Sequence, residues 1–261
     1  MTAVALTIAG SDCSGGAGLQ ADLKTFHQHG VYGQSVVTLI TAQNTMRVDT
    51  VSMLEPSLVV RQIDAVIEDI PPAAAKTGAL GSAAIIETVA DAADRLDGPL
   101  IVDPVMISKH GHALIDDNAA EVLRTRLIPK ASLLTPNMHE AAALSGRTVE
   151  TIDDMQEAAR SLADIGGANV LIKGGHLSGR AVDVLYTNGK IERLDAPRID
   201  TRHTHGTGCV YSAAITAHLA RGENMLNAVR QAKAFMSRAI AGRPGLGNGH
   251  GPIDMFAEID S

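Results

Sequence analysis

The sequence predicts an α/β protein with a central, mostly parallel β-sheet and helices on both faces. Short apolar runs that suit buried strands alternate with segments whose apolar residues recur at helical spacing, and a glycine-rich loop joins the first strand to the first helix. Each crossover helix packs back onto such a sheet and covers it. The 261 residues contain no linker-like stretch, so we expect one domain, 1–261.

The sequence also predicts where most strands and helices begin and end. The strands are short and apolar, and their predicted ranges are 4–9, 35–42, 100–103 and 169–173. The first helix follows the glycine loop and ends at Gly30. A second helix is predicted from an apolar face formed by Val59, Val60, Ile63, Val66 and Ile67. Thr151 and Asp154 form an N-capping pattern before a helix that runs to about Gly166. The last two predicted helices are the Ala-rich stretch 210–220 and an apolar stripe from Leu226 to Ile240 that ends near Gly242 and Pro244.

Composition excludes several functional classes. The formal net charge is −7, and 3 Tyr, 3 Phe and no Trp are present, which argues against a nucleic-acid partner. No apolar run approaches the roughly 20 residues of a membrane span, and the first residues lack the basic start of a signal peptide. We therefore expect a cytoplasmic protein with no membrane partner. Cys13 and Cys209 are too few for a disulfide framework.

Polar residues that directly follow the predicted strands are the candidates for a ligand site. In open α/β sheets, ligands bind beyond the carboxyl ends of the strands. Six places qualify: the loop 10–18, Gln43-Asn44, Lys76-Thr77-Gly78, Asp103-Pro104, Lys173-Gly174-Gly175 and the segment before Cys209.

The glycine-rich loop indicates close approach of a ligand to the backbone. Residues 16–21 match the dinucleotide pattern G-x-G-x-x-G/A, but the second strand ends in Gln43 and Asn44 rather than in the acid that a dinucleotide site requires. An oxidoreductase is therefore disfavoured. A plain turn explains one glycine but not four in nine residues, since each costs backbone entropy. Neither a Walker A motif nor a G-x-S-x-G elbow is present.

The segment that leads into the helix 210–220 predicts an anion hole. Gly206 and Gly208 allow successive backbone N–H groups to point into one concavity at the helix N-terminus. Cys209 falls at the first turn, where the same field is expected to lower the pKa of the thiol below about 8.5 and make it a base or nucleophile. Two other interpretations stay open: a buried structural cysteine beside a Gly-Thr-Gly turn, and a metal site formed by His203, His205 and Cys209.

Two carboxylates have competing interpretations. Asp103 ends an apolar run and precedes Pro104, so it is either a magnesium ligand or a turn-forming residue. For Glu140, the pattern from Asn137 favours a capping box, in which Glu140 bonds back to the N-cap.

Taken together, the motifs resemble those of the hydroxymethylpyrimidine/phosphomethylpyrimidine kinases of thiamine synthesis, in the ribokinase-like superfamily. The matching segments, in order along most of the chain, are Ala9-Gly10-Ser11-Asp12, Ser14-Gly15-Gly16-Ala17-Gly18, Gln20-Ala21-Asp22-Leu23-Lys24, Thr41-Ala42-Gln43-Asn44-Thr45, Asp103-Pro104-Val105-Met106, Thr135-Pro136-Asn137, Lys173-Gly174-Gly175-His176 and Thr204-His205-Gly206-Thr207-Gly208-Cys209. The resemblance implies a three-layer ribokinase-like fold, a homodimer, and ATP- and Mg²⁺-dependent phosphorylation of 4-amino-5-hydroxymethyl-2-methylpyrimidine and then of its monophosphate.

The resemblance also implies roles for individual residues. Cys209 is the expected base, and Gly206, Thr207 and Gly208 offer N–H groups to the transferred phosphoryl group. The expected substrate-binding residues are Gly10, Asp22, Gln43 and Ala79; the amide of Gln43 matches an exocyclic amine beside a ring nitrogen. Lys173 is the expected cation at the ATP phosphates, and Asp103 and Glu140 are the expected magnesium-side carboxylates, a role for Glu140 that is compatible with capping.

Two rivals to this function stay open. Ala79 stands where the family commonly has a methionine that lines the pyrimidine pocket, and the larger pocket suits a pyridoxal or pyridoxine kinase. Gln43 favours the aminopyrimidine. The second rival is a non-catalytic relative that has kept the pyrimidine pocket.

Overall fold

The computed structural model describes residues 2–107, 111, 114–166, 168–175, 177, 179–242 and 244–259, and it confirms the α/β class. Nine strands form one sheet: β1 (Val4–Asp12), β2 (Tyr32–Gln43), β3 (Val48–Met53), β4 (Ala74–Thr77), β5 (Leu100–Val102), β6 (Leu133–Leu134), β7 (Val170–Ile172), β8 (Ala181–Thr187) and β9 (Lys190–Ala196). Their order across the sheet is β3-β2-β1-β4-β5-β6-β7-β8-β9.

Eight α-helices accompany the strands in the described part of the chain. They are α1 (Gly18–Gln28), α2 (Pro56–Asp69), α3 (Ala83–Ala93), α4 (Asp117–Val122), α5 (Met138–Ser145), α6 (Ile152–Asp164), α7 (Thr207–Ala220) and α8 (Met225–Gly242). A π-helical turn, Leu123–Leu127, and a 3₁₀ turn, Ile128–Lys130, continue α4.

The helices form one layer on each face of the sheet because strand side chains alternate in direction. In β5, Leu100 and Val102 join the core under α2 to α6, whereas Ile101 faces the core formed by α1, α7 and α8. Helix α7 is buried along most of its length, since it packs against the sheet, α1 and α8 together.

Six neighbouring strands, β2-β1-β4-β5-β6-β7, are parallel, so their carboxyl ends share one edge of the sheet. Strands β3 and β8 pair antiparallel at the two flanks. The chain moves from β1 to β2 on one side and later returns to β4 on the other. The crevice between the ends of β1 and β4 is therefore a topological switch point, where ligands bind in such sheets.

Most predicted elements are confirmed, and the differences have physical reasons. Strand β1 continues to Asp12, so Gly10 lies inside a strand and the loop proper is shorter than predicted. Of the predicted helical face in α2, Val59 and Ile63 are buried but Val60 is 36% exposed. Strands β3, β4, β6, β8 and β9 were not among the predicted ranges; β3 is exposed along nearly its whole length, including its apolar residues Val51 and Met53.

No helix among the described residues is both long and apolar enough to cross a bilayer.

Candidate active site

Two glycine-rich segments meet at the carboxyl edge of the sheet and place Cys209 between two helix N-termini. Cys209 is the third residue of α7, and the backbone N–H of Gly18, the first residue of α1, hydrogen-bonds to its sulfur. Gly206 precedes α7 with φ 77°. A Cβ there would overlap the carbonyl oxygen of Gly16, so only glycine permits this approach.

The Asp12 carboxylate ties the two segments together. Its Oδ2 accepts a hydrogen bond from Ala17 N at 2.8 Å and lies 2.9 Å from His205 Nε2, while Oδ1 accepts from Ser14 N and Oγ. Although burial opposes it, the hydrogen bonds from His205 and Ser14 lower the pKa of Asp12 to about 2. Asp12 therefore stays ionised at neutral pH and fixes both loops.

A buried ion pair is close enough to Cys209 to influence its charge. Lys76 Nζ lies 2.8 Å from Asp22 Oδ2, which also accepts from Thr7 Oγ1 at 2.6 Å, and the Lys76 and Asp22 side chains are fully buried. Asp22 Oδ1 has no hydrogen-bond partner among the described residues. Burial alone would lower the pKa of Lys76, but the Asp22 carboxylate, together with Cys209 and Asp103, raises it. We therefore treat the pair as ionic.

A second charged cluster lies beside Gly208. Lys173 Nζ lies 2.9 Å from Asp103 Oδ1, and Ser212 Oγ lies 3.3 Å from Asp103 Oδ2. A Cβ on Gly208 would lie 3.3 Å from Lys173 Nζ and 3.6 Å from Asp103 Oδ2. The missing side chain at Gly208 therefore leaves room for a ligand between the start of α7 and these charges.

Glu140 forms the predicted capping box and is buried near the Asp103 carboxylate. It forms a capping box with Asn137, because Asn137 N donates to Glu140 Oε2 at 2.8 Å and Glu140 N donates to Asn137 Oδ1 at 2.9 Å. Burial raises the pKa of Glu140 to about 7, with the Asp103 charge adding to the rise and Lys173 opposing it. The capping prediction is confirmed, and Glu140 also belongs to the Asp103 and Lys173 cluster.

The predicted lowering of the Cys209 pKa is wrong. Burial raises the pKa of the thiol to about 12, and the negative charges of Asp22 and Asp103 add to the rise. Lys76 and the Gly18 N–H act in the opposite direction without reversing it. The helix position was predicted correctly, but desolvation and two carboxylates distant in sequence outweigh the helix field.

Two predicted substrate residues lie together at the switch point. A Cβ on Gly10 would lie 3.7 Å from the Ala79 Cβ, with Leu39 forming the adjoining wall. At the end of β2, Cys13 Sγ donates to the backbone oxygen of Gln43 at 3.2 Å. The side-chain amide of Gln43 makes no hydrogen bond within the described part of the chain, so it is available to a ligand.

The structure places the remaining candidate residues, Asp22, His205 and His176, in different surroundings or outside the described residues. Asp22 is buried against Lys76, and its direct contact with a substrate stays a prediction. His205 contacts Asp12, and no group of three or more His, Cys, Asp or Glu side chains suited to a metal occurs among the described residues. His176 of the Lys173 motif lies outside the described residues.

Lys76, Asp12 and His205 all fall in candidate segments of the sequence, but neither the ion pair of Lys76 with Asp22 nor the contact of Asp12 with His205 was predicted. The position of Lys76 gave a usable signal, since a lysine in a short buried strand that ends at the ligand edge needs a buried anion as its partner. The Asp12 and His205 pair had none, because it joins positions 193 residues apart.

Known proteins with similar sequences and structures agree on one class. A family model described as phosphomethylpyrimidine kinase matches residues 12–254. A hydroxymethylpyrimidine/phosphomethylpyrimidine kinase of Streptomyces coelicolor is 47% identical over 249 residues, which cover 95% of this chain and 93% of that protein. Among solved structures, a Bacillus subtilis pyridoxal kinase in an ADP complex has a TM-score of 0.91 at 39% identity, covering 98% of both chains. A Clostridium difficile phosphomethylpyrimidine kinase has a TM-score of 0.82 at 43% identity, covering 91% of this chain and 99% of that one.

The fold and these likenesses define a small-molecule kinase of the ribokinase-like α/β type. Within that class, the chain belongs to the phosphomethylpyrimidine kinase family. The resemblance drawn from the motifs is thereby confirmed.

Breaking the buried pair should destabilise the fold strongly. Lys76→Met leaves the Asp22 carboxylate buried without its cation, and we expect a loss of about 3–5 kcal/mol in the free energy of unfolding, measured by urea denaturation. Lys130→Met is the control, because the pair of Lys130 with Asp94 is exposed and should contribute little. Adding Asp22→Asn to Lys76→Met should recover part of the loss. Equal stability of Lys76→Met and Lys130→Met would contradict the ionic assignment.

The two cysteines should differ in alkylation. Iodoacetamide reacts with thiolates, so Cys209, with a pKa of about 12, should be modified very slowly at pH 8 and about tenfold faster for each unit of rising pH. Cys13 is exposed and should be modified first. Peptide mass spectrometry of the wild type and of Cys13→Ser measures both rates. A Cys209 rate that levels off near pH 8 would show that a thiolate is present at neutral pH.

Proposed function

We propose that the protein transfers the terminal phosphoryl group of ATP to the hydroxymethyl oxygen of 4-amino-5-hydroxymethyl-2-methylpyrimidine, and then a second phosphoryl group to the resulting monophosphate. The observation that carries this proposal is the position of Cys209, between the N-termini of α1 and α7 and next to the Asp103 and Lys173 cluster. Family membership and likeness to an ADP-bound kinase support ATP as the donor.

In the first transfer, Cys209 is the proton acceptor. The hydroxymethyl oxygen forms a bond to the terminal phosphorus, the bond from that phosphorus to the bridging oxygen of ADP breaks, and the hydroxyl proton passes to Sγ of Cys209 in its thiolate form, which becomes the thiol. With a pKa of about 12, the thiolate is the minor form at neutral pH, but it is a strong base that holds the proton firmly once it has received one. Because phosphoryl transfer has a loose transition state, only late and weak basic help is needed.

The start of α7 stabilises the charge that develops on the phosphoryl oxygens. Gly206 and Gly208 present backbone N–H groups at a helix N-terminus, where the dipole favours negative charge, whereas the N–H of Thr207 donates to Thr204 O at 3.4 Å. Lys173 adds a cation next to Gly208 and is assigned to the nucleotide phosphates. The Asp12 and His205 contact holds this segment against the first loop, so the donors are fixed before the substrate binds.

The residues beside Lys173 fit a magnesium ion. Asp103 and Glu140 supply hard carboxylate oxygens, and the raised pKa of Glu140 reports burial next to another negative charge, which a cation would relieve. We assign Asp103 and Glu140 to Mg²⁺ or its water ligands. When bound, the ion supplies positive charge to the phosphate oxygens and offsets that of the two carboxylates.

Pyridoxal is the second candidate substrate. The closely similar Bacillus subtilis structure is that of a pyridoxal kinase, and the small side chain of Ala79 beside Gly10 leaves space in the pocket wall. The unpaired amide of Gln43 favours the aminopyrimidine, because it offers a donor and an acceptor to the ring edge.

A turnover assay ranks these substrates. Purified protein is supplied with ATP, Mg²⁺ and, separately, the hydroxymethylpyrimidine, its monophosphate or pyridoxal, and ADP release is measured. We expect turnover of both pyrimidines with a higher kcat/KM than that of pyridoxal. Turnover of pyridoxal alone would reverse the ranking, and turnover of none would favour a binding protein.

Removing the sulfur should abolish catalysis selectively. Cys209→Ala should lower kcat by about 10²–10⁴-fold, the range expected for loss of a general base, with little change in KM for ATP. Calorimetric binding of ADP to the variant checks that the nucleotide site is intact. Unchanged kcat would remove the thiol from the mechanism.

The homodimer expected from the family also belongs to this proposal. Its support is a set of large apolar side chains exposed on β2, β3 and α2 and in the turn between the two strands, and its members are Tyr32, Ile40, Met46, Val51, Met53 and Leu58. By the strand register, Val51 and Met53 point to one face of this edge and Ile40 to the other, so apolar side chains are exposed on both faces of the edge, which favours an interaction surface.

A further inference from the structure

Asp183 is a buried carboxylate that has no role in the phosphoryl transfer proposed above. It lies in β8 with 3% of its surface exposed, and its two oxygens are bound by three different parts of the chain. Oδ1 accepts a hydrogen bond from the backbone N–H of Gly174 at 2.9 Å. Oδ2 accepts from the hydroxyl of Tyr211 at 3.1 Å and lies 2.6 Å from Lys233 Nζ. Asp183 therefore joins the end of β7 to both α7 and α8.

The contact with Gly174 fixes the backbone directly after Lys173. Lys173 N donates to Pro136 O at 2.9 Å, and the next N–H along the chain, that of Gly174, donates to the Asp183 side chain. Pro136 follows β6 and Asp183 belongs to β8, which are the two neighbours of β7, so the chain is held from both sides where it leaves the sheet. A Cβ on Gly174 would overlap the carbonyl oxygen of Val182, so this close approach to β8 requires glycine.

The contact with Tyr211 ties the same carboxylate to the helix that carries Cys209. Tyr211 follows Cys209 by two residues in α7 and is buried. Burial, together with the charge and hydrogen bond of Asp183, raises the pKa of Tyr211, so its hydroxyl stays protonated at neutral pH and donates. Lys233 supplies the cation that a buried carboxylate needs. One side chain thus links the backbone beside Lys173 with the N-terminal half of α7.

We propose that Asp183 is a positioning residue for nucleotide binding, which holds Lys173 at a fixed place relative to the phosphate-binding start of α7. This inference rests on the proposed function, in which Lys173 and the N–H groups of Gly206 and Gly208 meet the phosphates of ATP. A phosphate chain contacts both groups at once, and ordering a loose loop on binding would cost affinity. Asp183 removes that cost, because the loop and the helix share its carboxylate before the nucleotide arrives.

Two double variants separate this role from the stability of the fold. Asp183→Asn/Lys233→Met and Asp183→Leu/Lys233→Met both remove the buried charges and have side chains of similar volume, but only asparagine keeps an oxygen that can accept from Gly174 N. Calorimetric titration with ADP should show an affinity near that of the wild type for the asparagine variant and at least tenfold weaker binding for the leucine variant. Asp195→Asn, at an exposed position on neighbouring β9, is the matched control and should leave the affinity unchanged.

Steady-state kinetics of the same variants gives a second readout. The leucine variant should raise the KM for ATP by at least tenfold and leave the KM for the hydroxymethylpyrimidine unchanged, because Lys173 is assigned to the nucleotide phosphates alone. Equal ADP affinity of the two double variants, with binding by the wild type intact, would overturn the inference and leave Asp183 with a structural role only. Absence of ADP binding by the wild type would instead contradict the proposed function, and this inference with it.

If the leucine variant folds poorly, amide hydrogen exchange of the wild type decides the question. The Gly174 amide should be protected from exchange in the protein without ADP, since the loop is held before the nucleotide binds. A Gly174 amide that exchanges freely and becomes protected only after ADP is added would contradict positioning by Asp183.

Discussion

The contact between the backbones of Gly16 and Gly206 is the constraint on which the rest of the site depends. Helices α1 and α7 pack side by side with their N-termini at the same edge of the sheet, and they bring the Gly18 N–H to the Cys209 sulfur only because no Cβ separates the two loops. Asp12 then fixes this approach by holding His205 and the first loop at once. The Cys209 sulfur can act in a ligand site because the loop before α1 and the loop before α7 are both held in place around it.

The charged side chains around the Cys209 sulfur are already paired with one another, and this determines the electrostatic environment of the thiol. Lys76 forms an ion pair with Asp22 near Cys209, and Lys173 forms an ion pair with Asp103 beside Gly208. Because each cation has its own anion, no positive charge is left over to hold a thiolate, and burial decides the pKa of Cys209. A sulfur that is mostly protonated but strongly basic once ionised therefore suits a reaction that needs only late and weak proton abstraction, as phosphoryl transfer does, better than one that needs a preformed thiolate nucleophile.

The sequence was sufficient for features that depend on local patterns. The Asn137 capping box, the helix that starts after Gly206 and the strands whose apolar runs end at the ligand edge all follow from a few neighbouring residues. The pKa of Cys209 does not, because its causes, Asp22 and Asp103, lie far away in the chain. The hairpin of β8 and β9 could have been predicted, since an Asn-Gly pair favours a two-residue hairpin turn, and Asn188 and Gly189 both have positive φ in that turn.

The same pair of helices also explains why the two ends of the molecule carry different chemistry. Helix α1 has 11 residues and α7 has 14, so their ends are separated by about 16 Å and 21 Å at 1.5 Å per residue. At an effective dielectric constant of about 20, two unit charges that far apart interact by only about 1 kcal/mol. His29 and His218 are buried at the C-terminal ends of these helices, and any influence of this pair on Cys209 must therefore pass mainly through the packing of the two helices, which are anchored in the core by Phe26 and Ala213. That mechanical route favours effects on stability over effects on the charge at the sulfur.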